Sequence, residues 1–258
     1  MDDGGILPRG SVARRVDREL FLLLGGSAAL LMQLAHPLVA AGVAQHSDFR
    51  RAPLARLRRT LDTTLAVVFG DTATARAALR RIAKRHVPVS GMAADGRAYE
   101  ARDPRLLLWV QTTLVLTSLR LHELVCGPLP ARDRQAYWDE TKPIARALGI
   151  PDALLPPSVE DLERYERRAL AGEVVPDATS AECGRAVLRP FPWLPGPLHW
   201  PADALTARLV PAPLRGAYGL RWRRRDRLLF RAVIVALRAV RAAAPERLAL
   251  VPQARRYE

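Results

Sequence analysis

Apolar and polar residues follow a helical period along almost the whole chain, and no series of alternating strands is convincing. Capping residues, prolines and a terminal glycine set the bounds of most predicted helices. These helices are 54–68; 72 to about 85, capped by Asp71; 104 to about 125, capped by Asp103; 131–148, between Pro130 and Gly149; one opened by Ser158 with Asp161 three residues on; and 226–244, stopped by Pro245. The pattern predicts an all-α fold.

An uncharged stretch covers residues 20–47, and its first part, 20–34, is nearly all apolar. A transmembrane helix needs about 20 apolar residues, but Gly25, Gly26, Gln33 and the His36-Pro37 pair interrupt this run. We therefore predict a fully buried core helix and no stable membrane insertion, although contact of 20–43 with lipid stays open.

One helical domain over 1–258 is the predicted organisation, because no flexible linker divides the chain. The segment 190–201 carries five prolines together with Trp193 and Trp200. We expect it to be an extended connection that wraps the surface.

Composition narrows the class of protein. The chain has 258 residues, of which 49% are hydrophobic and 26% charged, which excludes disordered, collagen-like and coiled-coil classes. The net charge of +14 would suit a nucleic-acid partner, but 38 of the 40 basic residues are arginine. Such a bias reflects a GC-rich genome as readily as a partner. The two cysteines have no metal-ligand spacing, and the first residues do not resemble a secretory signal, so we expect a cytoplasmic protein.

His86 is the first candidate for chemistry. Ala75, Leu79, Ile82 and His86 recur at spacings of four, three and four, so they share one apolar helix stripe. A histidine on such a stripe is usually a hydrogen-bonded core residue. A neutral imidazole in an apolar wall is also what axial ligation of haem iron requires, and the spacing leaves both interpretations open.

The preceding helix, 54–68, presents a second row of interest. Arg56, Arg59, Thr60 and Thr63 lie roughly opposite its leucines, with Val67 extending the row. A solvated cationic face is one interpretation. Two threonines and a valine make a poor solvent face, so the row could instead line a cavity in which an arginine holds haem propionates or stabilises a bound oxygen species.

His36 and His46 flank a run of small residues that permits close approach of another helix or a flat ligand. Both are candidates for cofactor binding, and both could equally satisfy backbone groups where the helix breaks. The basic run 221–225, with Trp222 available for stacking, could touch phosphates but is more typical of a solvated helix start.

In the order of its sequence motifs, the chain resembles the family of latex-clearing protein (rubber oxygenase) and the fungal oxygenase MpaB. The resemblance covers about residues 15–225. It rests on the HPLVAAGVAQHSDF block at 36–49, RLRRT at 56–60, HVPVSG at 86–91, YEARDP at 99–104 with LWV at 108–110, and YWDE at 137–140.

This resemblance implies an all-α fold with a globin-like core that holds a b-type haem. Carried over by position, His86 resembles the proximal iron ligand. Arg56, Arg59 and Thr60 match an Arg-x-x-Lys-Thr pattern beside the haem, with Arg59 in the place of the lysine. A neutral lysine can ligate iron, whereas arginine stays charged and cannot readily do so.

We therefore expect a haem-dependent oxidoreductase of the oxygenase type that acts with dioxygen on an apolar small organic or isoprenoid-like substrate. His86 would hold the iron, and Arg59 and Thr60 would be the catalytic partners of the oxygen. Two alternatives remain: a non-enzymatic haem-binding or sensor protein, and a basic helical protein that binds nucleic acid.

Overall fold

Helices make up nearly all the regular structure, as the sequence predicts. A computed structural model describes residues 5–47, 53–191, 193–252 and 254, with the backbone alone at 53–59 and 246–247. The helices are α1 (Val12–Asp17), α2 (Gly26–Leu34), α3 (Pro37–His46), α4 (Pro53–Phe69), α5 (Thr72–His86), α6 (Pro104–Cys126), α7 (Ala131–Leu148), α8 (Val159–Ala171), α9 (Ala178–Leu188), α10 (Gly196–Leu209), α11 (Ala212–Arg215), α12 (Arg224–Ala243) and α13 (Glu246–Ala249). Short 3-10 helices cover Leu20–Gly25 and Asp152–Leu154.

A small hairpin accompanies these helices. Its strands, β1 (Ser90–Met92) and β2 (Ala98–Glu100), pair antiparallel with Gly91 opposite Tyr99. It lies between α5 and α6 in the chain and packs along α3. The helical pattern of the sequence did not predict it.

Side-chain caps begin the predicted helices where the sequence placed them. The carboxylate of Asp71 accepts a hydrogen bond from the Thr74 amide at 2.7 Å, and that of Asp103 accepts one from the Arg105 amide at 2.8 Å. These bonds satisfy amides that have no partner within the first turn of a helix. The predicted helices therefore begin and end within about two residues of the observed bounds.

The apolar stretch at 20–34 differs from the prediction of one fully buried helix. It begins as the 3-10 helix Leu20–Gly25, in which Leu23 and Leu24 are exposed, and only then continues as α2. Adjacent glycines at 25 and 26 lower the helical propensity at the change. None of the described helices alone is long and apolar enough to cross a membrane. The segments Leu20–Leu34 and Pro37–His46 reach that length and apolarity only when they are taken together, and the chain bends by 107° between them.

The proline-rich segment also differs from the prediction of an extended connection. Helix α10 starts at Gly196, so His199, Trp200 and Pro201 are helical. Pro197 lies in the first turn, where the amide that a proline lacks would have no partner, whereas Pro201 lies inside the helix.

Helix α6 runs through the centre and is buried on nearly every side. One core cluster packs Leu116 of α6 against Trp138 of α7, and another packs Trp109 of α6 against α2 and α10. The buried indoles keep polar partners, because Trp109 donates to the Met32 carbonyl at 3.1 Å and Trp138 to the Pro156 carbonyl at 2.8 Å. The two clusters thus share α6.

The contact between α9 and Tyr218 gives a test of this packing. A Cβ atom on Gly184 would lie 2.4 Å from two carbon atoms of the Tyr218 ring, whose hydroxyl donates to the Leu31 carbonyl. Gly184→Ala should lower the free energy of unfolding by about 1–3 kcal/mol, because the ring must move. Urea denaturation measures this change.

Gly26→Ala is the matched control, since a Cβ atom at Gly26 meets nothing within 4 Å. It should be neutral or slightly stabilising. Equal stability of the Gly184→Ala variant and the parent protein would contradict the packing of α9 against Tyr218.

Candidate functional site

The His86 side chain ends a stripe on α5 that is buried at one end and half-buried at the other. Ala75 and Leu79 are buried, and Ile82 and His86 are half-buried. Nδ1 of His86 lies 2.7 Å from the carbonyl oxygen of Ile82, one turn earlier. Nε2 of His86 has no hydrogen-bond partner among the described residues.

This geometry selects one tautomer of the imidazole. A carbonyl oxygen only accepts hydrogen bonds, so Nδ1 of His86 carries the proton and donates. The lone pair therefore remains on Nε2, which has no hydrogen-bond partner among the described residues. A backbone carbonyl on the other ring nitrogen commonly orients histidines that ligate metals through Nε2.

The start of α4 lies beside this end of α5. The connection between the two helices has two residues and the helices pack on each other, which makes them antiparallel neighbours. By chain position, the backbone at Arg56 and Arg59 is therefore near His86; the side chains of both arginines lie outside the described set. The Thr60 side chain is exposed.

The rest of the predicted polar row on α4 turns inward. Thr63 and Val67 are buried, and Val67 belongs to a cluster with Ala78 and Leu79 of α5. This part of the row fills the contact between the helices and does not form a solvated cationic face.

The end of α3 holds the hairpin through three side chains, Gln45, His46 and Tyr99, which we name the hairpin clamp. Nε2 of His46 donates to the Ser90 carbonyl at 3.0 Å, and the Gln45 amide donates to the Met92 carbonyl at 2.9 Å. The Tyr99 hydroxyl donates to the Gln45 side-chain oxygen at 2.6 Å. His46 is therefore occupied as an anchor, and its predicted part in cofactor binding stays a prediction.

Gly91 allows the clamp to close. A Cβ atom there would lie 2.8 Å from the Gln45 side-chain oxygen and 2.9 Å from the Tyr99 hydroxyl. The Val89 amide, just before β1, donates to the His86 carbonyl at 3.1 Å. The clamp thus fixes the chain that leaves His86. Gln45 and Tyr99 were not predicted as site residues, although both lie within the motifs at 36–49 and 99–104.

His36 lies at the opposite end of α3, about 15 Å away for a ten-residue helix. Its Nδ1 accepts a hydrogen bond from the Leu38 amide at 3.3 Å, so His36 caps the helix. The side chain is 4% exposed, and burial, followed by the positive charge of Arg97, lowers its pKa to about 4. The structure does not bring His36 together with His46 and His86.

An open pocket of about 470 Å³ lies near the start of α3, and both charged and apolar residues line it. Its charged side chains come from the hairpin turn and the segment between α8 and α9: Asp95, Arg97, Glu173 and Asp177. Within the described ranges, no three histidine, cysteine or carboxylate side chains form a group able to hold a metal ion.

Comparison with protein families adds to this geometry. The family described as ER-bound oxygenase mpaB/B'/Rubber oxygenase, catalytic domain, matches residues 13–239. The chain belongs to this family. The match extends from α1 to within the last turns of α12, so the His86 end of α5 and the hairpin clamp both lie inside the oxygenase catalytic domain.

The chain is also similar to two mycobacterial proteins. They are the uncharacterized proteins Mb2261 of Mycobacterium bovis and Rv2237 of Mycobacterium tuberculosis. Each is 30% identical over 231 residues, which cover 86% of this chain and 89% of the relative. No solved structure matches the chain. Membership of an oxygenase family indicates an enzyme that uses dioxygen and an organic substrate.

The pKa of His36 gives a prediction about pH. The unfolded histidine takes up a proton below about pH 6.5, whereas the folded one stays neutral to about pH 4. At His36 the unfolded state therefore binds more protons in this window, and the contribution of His36 to the free energy of unfolding falls as the pH drops from about 6.5 to about 4.

His36→Asn keeps a capping acceptor but does not titrate. Between pH 7 and pH 4, the change in its free energy of unfolding should be about 3 kcal/mol more positive than the change in the parent protein. Urea denaturation at the two pH values measures this difference. Asp17, whose pKa burial raises to about 7, is present in both proteins, so its opposite contribution cancels in the difference. Identical pH profiles would show that His36 is not buried as a neutral group.

Proposed function

We propose that this protein is a haem b-dependent oxygenase, with Nε2 of His86 as the protein ligand of the iron. The observation that carries the proposal is the hydrogen bond from Nδ1 of His86 to the Ile82 carbonyl, which leaves Nε2 as the only basic nitrogen of the ring. Bound haem would supply the iron that activates dioxygen.

The residues around His86 fit such a cofactor. The imidazole is half-buried at the end of an apolar stripe, so a flat apolar group could cover it. The start of α4 lies beside His86 and adds Arg56 and Arg59 by chain position. Their guanidinium groups would pair with two propionates.

Arg59 and Thr60 are the proposed catalytic residues. Arg59 would offer the oxygen substrate a permanent positive charge, and Thr60 would offer a hydroxyl hydrogen. Arginine does not lose its proton near neutral pH. Arg59 therefore could not bind the iron, as a neutral lysine could. His36 and His46 would contribute to the cofactor site only through α3 and the hairpin.

The proposed substrate is a small apolar organic molecule, such as an isoprenoid. The rubber oxygenases in the family name act on rubber, an apolar polymer, which supports this class. One domain over 1–258 is part of the proposal, supported by the two core clusters that share α6. We further propose a globin-like arrangement of the helices around the cofactor.

Removal of the His86 imidazole tests whether this residue is the iron ligand. His86→Ala should be purified with little or no haem, because no other described side chain lies in the position of Nε2. Lys84→Ala, two residues away on an exposed part of α5, is the matched control and should keep the haem. The measurement is the haem absorbance relative to protein, with a circular dichroism spectrum to show that each variant is folded.

Added imidazole sharpens this test, since it can enter the space that His86→Ala opens and restore haem binding. Full haem content in His86→Ala without imidazole would overturn the assignment. Oxygen uptake with a panel of apolar substrates then separates the enzyme from a haem sensor. Haem binding without substrate-dependent uptake would favour the sensor.

Arg59→Lys tests whether the residue at position 59 would lie beside a bound haem. A lysine amine can ligate the metal once it is neutral, so the variant should show a change in its absorption spectrum as pH rises between about 7 and 10. Arg58→Lys, about 100° around the helix, is the control and should resemble the parent protein. The same spectral change in both variants, or in neither, would contradict the position given to Arg59.

A further inference from the structure

Helix α12 has an apolar stripe on its outer side. Ile234, Phe230 and Leu237 face the core of the protein. On the other side, Leu228, Ala232, Val235 and Ala239 recur at spacings of four, three and four, and all four are exposed. Leu228 is 64% exposed and Val235 65%. Water therefore covers a continuous apolar row about three turns long.

Arginines surround the first turns of this row. The segment 221–231 contains six arginines and one acidic residue, Asp226, which gives it a net charge of +5. Asp226 is engaged with the backbone amide of Arg223 as a cap. In the part of the chain that the structure describes, no ion pair joins any of these six guanidinium groups to a carboxylate.

Aromatic and aliphatic side chains at the start of α10 continue the same surface. Trp193 is 76% exposed, Leu198 62% and Trp200 41%. The Arg225 guanidinium lies 4.0 Å from the centre of the Trp200 ring, so the starts of α10 and α12 adjoin. We name this surface the α10–α12 face: Trp193, Leu198, Trp200, Leu228, Val235 and the arginines of 221–231.

Three kinds of partner could cover such a face, and charge separates them. A second copy of the chain would bring two segments of +5 together, which is repulsive. A nucleic acid would neutralise the arginines but offers nothing to exposed leucine and valine. Trp222, the residue best placed in sequence for base stacking, is half-buried against the Phe230 ring and the Arg215 guanidinium.

An anionic lipid surface would interact with both the arginines and the exposed apolar side chains of the α10–α12 face. Arginines attract acidic headgroups, while tryptophan and leucine insert at the boundary of the acyl chains. We propose that the α10–α12 face docks the protein on an anionic membrane surface, with α12 lying in the plane of the interface. This docking is peripheral and does not depend on the haem or on the proposed reaction.

Vesicle sedimentation tests the proposal with the full chain. The protein should bind vesicles of phosphatidylcholine containing phosphatidylglycerol, and should bind pure phosphatidylcholine far more weakly. Substitution of three arginines, Arg224→Gln, Arg225→Gln and Arg227→Gln together, should weaken binding about a hundredfold. Leu228→Gln with Val235→Gln should weaken it roughly tenfold, because the charges remain but the inserted apolar groups are lost.

A matched triple variant controls for net charge. Arg76→Gln, Arg105→Gln and Arg167→Gln remove the same charge from exposed positions outside the face and should keep most of the binding. All substituted side chains are exposed, so circular dichroism and thermal melting should be unchanged in every variant. The proposal fails if anionic vesicles are not bound, if the control triple loses as much binding, or if the Leu228 and Val235 changes have no effect on vesicles. It also fails if those two changes dissociate a dimer seen by light scattering.

Discussion

The burial of helix α6 is the constraint on which the rest of the structure depends. This helix has almost no polar side, so other elements must cover it all around. Helices α1, α2, α7, α8, α10 and α12 all pack on it. Two of its buried threonines donate to carbonyls within the helix, Thr112 to Leu108 and Thr113 to Val110, each at 2.7 Å. The candidate site therefore belongs to an outer layer, away from this central helix.

The outer layer owes its order to hydrogen bonds between distant parts of the chain. Ser90 follows His46 by 44 residues, yet their bond ties β1 to the end of α3. The tie constrains the exit of the chain from α5, while the bond to Ile82 constrains the imidazole itself. An imidazole held in this way has a fixed orientation, and under the proposed function this would reduce the entropy lost when the cofactor binds.

Local signals account for the parts of the fold that the sequence predicted. Asp71 and Asp103 mark helix starts because a side-chain cap acts within three residues. The stripe that ends at His86 was visible for the same reason, since it depends only on helical spacing. Together with the RLRRT and HPLVAAGVAQHSDF motifs, it pointed to the oxygenase family to which the chain belongs.

Other features depend on contacts that spacing does not encode. Strands of three residues are too short to show alternation, so the hairpin was missed. The five prolines of 190–201 predicted an extended connection, although Pro197 in a first turn is compatible with α10. The role of Gln45 depends on a hydrogen bond from Tyr99, 54 residues later. His36 caps the start of α3, whereas His46 lies at the end of that helix.

The most direct test of the account is the absorption spectrum of the purified protein, as isolated and after reduction, with a pyridine haemochrome assay. The account predicts a Soret band and b-type haem in about stoichiometric amount. Protein that stays free of haem, even from cells supplied with a haem precursor, would contradict it. His86 would then be a hydrogen-bonded residue at the end of α5 with no cofactor to hold.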